Sequence, residues 1–173
     1  PLTLSRRSGT APSSANGASL RLALTAEERC RLRGHRRSLC GRDLVLQLER
    51  GEPLQPGEWL AGEGSDPAVQ VVAAEEPLLR VRAPDPLALL QAAYHLGNRH
   101  VALEVRGDEL RLLEDPVLAD LLARRGLTVA RCQAAFLPEA GAYPAAAGHG
   151  DHGGHHGHHG DHGHGHAAAH HHG

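Results

Sequence analysis

The sequence predicts an α+β protein in three parts: a small N-terminal β-domain over residues 1–74, a second domain over 75–144, and a disordered, histidine-rich tail over 145–173. Three observations lead there. Short runs of alternating apolar residues, broken by Pro and Gly, fill the first part. In the second, Asp85-Pro86 and Asp115-Pro116 each open an apolar helical pattern, Asp suiting the N-cap and Pro the first turn. The chain then ends in GHGDHGGHHGHHGDHGHGHAAAHHHG, where nothing apolar is larger than alanine and no core can offset the cost of ordering.

In the first domain, Arg6 to Gly17 is rich in Ser, Gly and Ala and reads as a loop. LRLALT, from Leu20, alternates as a strand should. TAEERCRLRGHRR crowds Arg and Glu together with no apolar stripe. Leu44, Leu46 and Leu48 recur at period two, and EPLQPGEWLAGEGSDPAVQVVAA supplies further short strands between turns.

From about Glu75 the pattern changes. PLLRVRA sets Leu79, Val81 and Ala83 on one side and Arg80 and Arg82 on the other, a strand with one wet face. The first helix has Leu87, Leu90 and Tyr94 at helical spacing and Gly97 as its stop. HVALEV follows as a strand, and Gly107-Asp108 turns it back into ELRLLE. The second helix carries Leu118, Leu121 and Leu122 and ends at Gly126, after which LTVARCQAAF forms a last strand. The order β-α-β-β-α-β is the ferredoxin-like arrangement. Both helices cover one face of such a sheet, so Val101, Leu103 and Val105 should point at them. Strand parity then sends His100, Ala102 and Glu104 to the opposite, uncovered face, which invites a partner domain or a second copy of the chain.

Composition narrows the function. The formal net charge is −2, every cationic residue is Arg, and aromatics make up 2% of the chain. This offers neither an electrostatic case for nucleic acid or anionic membrane nor a base-stacking platform. No apolar run reaches the length of a membrane span, and no apolar stretch follows the arginines near the N-terminus as in a secretory signal. Cys30, Cys40 and Cys132 form no CxxC and are odd in number, which makes the cytoplasm the expected compartment. Glu75, Glu76, Glu114 and Asp115 read as loop and cap residues, and no constellation suits catalysis; the chain is not expected to be an enzyme.

What the sequence does announce is metal. Of its 15 histidines, all but His35, His95 and His100 lie in the tail: His149, His152, His155, His156, His158, His159, His162, His164, His166, His170, His171 and His172. Neutral imidazole suits nickel, copper, zinc and cobalt, and interleaved glycine lets several rings gather round one ion. A purification tag would be an uninterrupted run. His35 and His95 read as solvated, and His100 by itself could be an exposed strand histidine with no role.

The segments YHLGNRHVALEV, LRLLEDPVLADLLARRGLTV and FLPEAGAY, in that order and ahead of a His-rich tail, closely resemble the UreE family of urease accessory proteins, which are nickel metallochaperones. The resemblance covers about Leu20 to Tyr143 and is strongest from Tyr94 onward. It implies an N-terminal domain that contacts partners, and a homodimer joined through the second domain. His100, from the GNRH motif, would lie at that interface and bind Ni2+ with its symmetry mate, with Zn2+ and Cu2+ as competing ions in vitro. It further implies delivery of nickel to the urease apoprotein within an accessory complex that includes the GTPase UreG. One stretch departs from the pattern: some members carry further histidines just before the second helix, where this chain has Leu112-Leu113-Glu114-Asp115-Pro116. Two copies of His100 then leave coordination positions for tail residues, carboxylates or water, with the tail collecting ions and raising their concentration at the site. The alternative is a nickel or zinc buffer that works through the tail alone and delivers to no one.

Overall fold

Leucine alternation builds the first half of the molecule. The computed structural model describes residues 1–10, 19–63 and 67–140. Strands β1 (Leu2–Leu4), β5 (Asp43–Gln47) and β4 (Arg33–Arg37) make a sheet in the order β1-β5-β4. A second sheet runs β2 (Arg6–Ser8), β6 (Trp59–Ala61), β7 (Val69–Ala73), β3 (Leu20–Leu24). The period-two leucines turn inward from both: Leu2, Leu4, Leu44 and Leu46 meet Leu22, Leu24, Leu60 and Val71 in one buried cluster. With so few aromatics the core is almost entirely Leu and Val, each side chain contributing about 2 kcal/mol on burial.

One expectation fails in this half. Residues 6–8, taken for loop, are strand β2, because the chain steps from one sheet to the other at Ser5. The stretch without an apolar stripe holds a helical turn, α1 (Ala26–Arg29), and edge strand β4. Their signals were local. Thr25 and Glu28 form a reciprocal capping box, and only one side of an edge strand needs partners.

The second half has the element order expected. Strand β8 (Glu75–Arg82) leads into α2 (Pro86–Gly97), then β9 (Glu104–Val105), β10 (Leu110–Leu113), α3 (Pro116–Arg124) and β11 (Thr128–Ala135). The strands lie in the order β11-β8-β10-β9, every neighbouring pair antiparallel. Asp85 and Asp115 cap the two helices as the Asp-Pro pairs predicted, Asp85 accepting the Ala88 N–H and Asp115 those of Val117 and Leu118. Leu79, Val81, Leu110 and Leu112 pack beneath the helices against Ala92, Leu96 and Leu122 in a second core.

On the opposite face, register aligns Ala130, Arg80, Arg111 and Glu104 across the four strands. Glu109 beside them is only 3% exposed. Its carboxylate takes Arg111 at 2.6 Å and Arg82 at 2.9 Å, with Arg80 at 3.9 Å. Burial pushes the Glu109 pKa up, but the bonds and charges of Arg111 and Arg82 outweigh it and hold the group below the ordinary carboxylate value.

This face is not left uncovered as expected. After β11 the chain turns across it: Leu137 N–H donates to Glu104 Oε2 at 2.9 Å and Glu139 N–H to the Leu103 carbonyl at 2.7 Å. Leu78, which alternates to this side of β8, is fully buried, as is Phe136 just after β11. Arg29 of α1 donates to the Phe136 carbonyl at 2.7 Å, and Glu76 accepts the Ala26 N–H at 2.8 Å, so α1 is bound to the second half at two points. No helix among the described residues is long and apolar enough to cross a membrane.

Candidate metal centre

Strand parity placed His100 on a sheet face, and the structure does not. Residues 98–103 are outside the strand, which begins only at Glu104. Val101 and Leu103 do pack against the helix-side core as predicted. Val105 shares that row with Leu110 and Val81 but is half exposed at the sheet edge, and Glu104 takes the opposite side.

His100 instead ends helix α2. Its N–H bonds to the Gly97 carbonyl at 2.9 Å and the next N–H, of Val101, reaches the Leu96 carbonyl at 3.1 Å. That pair of bonds is a Schellman cap, whose penultimate position must be left-handed. Helix α3 ends in the same way: Gly126 N–H bonds to Ala123 and Leu127 N–H to Leu122. In α3 the left-handed position is Gly126, with φ of 81°. In α2 it is His100, with φ of 57°, the only non-glycine residue at positive φ among those described. Gly97, expected to stop the helix, is its last residue.

A side chain in this conformation costs about 1–2 kcal/mol relative to one that is free of strain. The surrounding structure bears that cost: two backbone bonds hold position 100 at the helix end, with Val101 and Leu96 in the core below. The imidazole itself is exposed.

The helix leading to it has two apolar faces. Leu89, Ala92, Ala93 and Leu96 pack inward. Leu87, Leu90 and Tyr94, the residues whose spacing suggested a core stripe, point out and are 63%, 67% and 67% exposed. They run along the helix toward the cap that carries His100. Beside them, between the start of α2 and the β9–β10 turn, lies a cleft of about 310 Å³ bordered by Leu89, Leu90, Ala93 and Val105. A monomer gains nothing from such a surface, and apolar patches of this kind mark contact sites.

The other candidates separate clearly. His95, half buried on α2, stands edge-on to the Tyr94 ring with centroids 5.6 Å apart. His35 is exposed on β4, far along the chain from either helix. Cys30 and Cys40 are exposed and Cys132 is half buried, all as free thiols. Hydrogen bonds from Ser38 and the Arg42 N–H lower the Cys40 pKa. The twelve tail histidines, His149 to His172, lie outside the described residues. Among the described residues no group of three or more His, Cys, Asp or Glu converges to hold a metal ion. His100 is one imidazole, and a site built on it needs donors from elsewhere.

Sequence reasoning missed the outward face of α2, although the second stripe at Leu89, Ala92, Ala93 and Leu96 was a readable sign of a helix apolar on two sides. It also missed the left-handed cap. The clue there was the match between RRGLTV and NRHVAL, in which His100 stands where the other helix has Gly126.

Comparison with known proteins adds the family. The C-terminal domain of the UreE urease accessory protein matches residues 76–172. Among similar proteins, the urease accessory protein UreE of Parasynechococcus marenigrum (strain WH8102) is 57% identical over 135 residues, covering 78% of this chain and 88% of the relative. That of Thermosynechococcus vestitus is 54% identical over 130 residues, covering 75% of this chain and 90% of the relative. The protein of the same name from Burkholderia pseudomallei (strain K96243) is 48% identical over 129 residues, which make up 75% of this chain and 62% of that one.

Proposed function

Because the chain belongs to the UreE family of urease accessory proteins, with a role in urease maturation, we propose that it is a homodimeric nickel chaperone whose two His100 side chains form one transfer site. The carrying observation is the strained, exposed His100 at the end of a helix whose outer face is apolar and uncovered. Two copies of that face laid together about a two-fold axis would bury Leu87, Leu90 and Tyr94 and bring the two caps toward each other. The second half then serves as a ferredoxin-like metal-binding and dimerisation domain, and the first as the surface for partners, including the urease apoprotein and UreG. Two imidazoles leave an open coordination sphere, which favours handover over storage. The tail histidines collect Ni2+ and supply further donors, and metal binding weakens as acid protonates the imidazoles.

Leu90→Asp tests the dimer. Light scattering should show the variant as a monomer with its fold intact by circular dichroism; a persistent dimer would place the interface elsewhere. Delivery is tested by truncation after Tyr143. In cells lacking the native protein, the truncated chain should bind fewer nickel ions yet restore urease activation when nickel is plentiful. Loss of activation at high nickel would contradict a gathering role for the tail. Undiminished urease activity at low nickel in cells with no copy at all would favour the buffer.

A further inference from the structure

One stretch gathers a third of the cationic residues. Residues 29–42, RCRLRGHRRSLCGR, hold six of the 18 arginines and none of the 20 acidic residues. The rest of the chain, with twelve against twenty, carries a formal charge of −8. Arg29 is buried in the junction with the second half. Two others reach carboxylates: Arg31 pairs with Glu27, and Arg37 with Asp43 at 3.0 Å. Among the described residues, Arg33 and Arg36 donate to backbone carbonyls and meet no carboxylate.

Strand β4 sets this charge in a row. Exposure alternates along it, so Arg33, His35 and Arg37 share the outer face of the sheet and Arg36 turns the other way. Neighbours in the row stand about 7 Å apart, two residues of extended chain. Beside them β5 sets Gln47, Val45 and Asp43 in register, one carboxylate for three positions. At the Arg33 end lies a cleft of about 330 Å³ bordered by Arg31, Arg33 and Arg50, with Leu32 and Leu48. The backbone of β4 is guarded. Bonds from Leu48 N–H to the Leu32 carbonyl and from Ser38 N–H to the Arg42 carbonyl bracket its ladder with β5, so the carbonyls of Arg33, His35 and Arg37 face away from β5. The Arg36 guanidinium lies over that edge, donating to the His35 carbonyl at 2.7 Å and to that of Arg31 at 3.4 Å. Edge protection is thus met by Arg36 and does not account for the row on the outer face.

We propose that the outer face of β4 is a docking strip for an acidic, extended segment of a partner protein. Carboxylates at alternate residues of that segment meet Arg33, His35 and Arg37, and the next enters the cleft at Arg31 and Arg50. An extended chain repeats every second residue at the spacing of the row, so charge pairing fixes its register. Guanidinium forks take carboxylates in two parallel hydrogen bonds. From Arg33 to Arg37 the row spans about 14 Å, too long for one small anion. Nucleic acid fits less well: the neighbours on β5 include no aromatic ring, and the remaining charge of −8 repels a long polyanion. The strip gives a chemistry to the partner surface assigned to the first half, and rests on that assignment for its use in the cell.

The test reads fluorescence anisotropy of short labelled probes on the full chain, at about pH 8 with chelator present, where metal is absent and unperturbed imidazoles are neutral. One peptide alternates Glu and Thr, a second has the same residues with Glu in a single block, and a third alternates Lys and Thr. A single-stranded oligonucleotide of the same charge is the fourth probe. The alternating Glu peptide should bind best, and added salt should weaken it. Arg33→Glu/Arg37→Glu should lower its affinity at least about tenfold, as two exposed pairs become two repulsions. The same variant should gain affinity for the alternating Lys peptide, a result that loss of fold does not produce. No binding of the alternating Glu peptide, equal binding of the block peptide, tighter binding of the oligonucleotide or an unaltered affinity in the variant each overturns the proposal. If the peptide preference reverses as expected while urease activation in cells carrying the variant is undiminished, the strip stands and the assignment of the first half to urease partners falls.

Discussion

His100→Gly is expected to make the protein more stable and to abolish the shared nickel site proposed for it. Glycine takes the left-handed cap position without strain, as Gly126 does at the end of α3, so the fold should gain about 1 kcal/mol. For a chain of this size that raises the melting temperature by about 3 °C. His100→Ala keeps the strain and should leave stability within about 0.5 kcal/mol of the native value. Calorimetry with nickel on a tail-deleted dimer should lose one bound ion per dimer with either substitution. Unchanged stoichiometry would remove His100 from the centre, and a glycine variant less stable than the alanine one would contradict the strained cap.

Glu109→Ala should cost about 3 kcal/mol, the low end for breaking a buried ion pair, since Arg80 and Arg82 can turn to solvent while Arg111 is largely buried. The pH dependence has a fixed sign. The native pKa of Glu109 lies below its ordinary value, so its stabilisation is fully present above the unfolded pKa near 4.3 and is lost as pH falls through the lower native one. Urea midpoints should therefore drop further between pH 5 and pH 3 in the native protein than in Glu109→Gln. Equal drops in the two would show that this carboxylate is not the acid-sensitive one.

Much of the architecture was legible in the residues. Asp85-Pro86 and Asp115-Pro116 marked both helix starts, and alternating apolar residues marked β3, β5 and β8, because caps and inward-facing side chains act over a few residues. The site was less legible. The choice of His100 as a candidate followed from resemblance, whereas its surroundings depended on where a strand begins. Extending β9 back from Glu104 to His100 was enough to put the imidazole on the wrong surface. The outward stripe of α2 was visible but ambiguous, as Leu87, Leu90 and Tyr94 satisfy helical spacing as well as the true core face does. Only tertiary packing chooses between two such faces. The crossing of 136–139 left no local signal, because its bonds join residues more than thirty positions apart.

The matched caps of α2 and α3 carry one more consequence. Under selection for folding alone, position 100 would drift toward glycine, which the same backbone already uses at 126 and which most single substitutions cannot better there. Any broad search for heat-tolerant variants should therefore recover His100→Gly early and count it a success. Unless nickel binding is screened alongside, such a search would select molecules that outlast the native protein yet lack the imidazole on which the proposed transfer site depends.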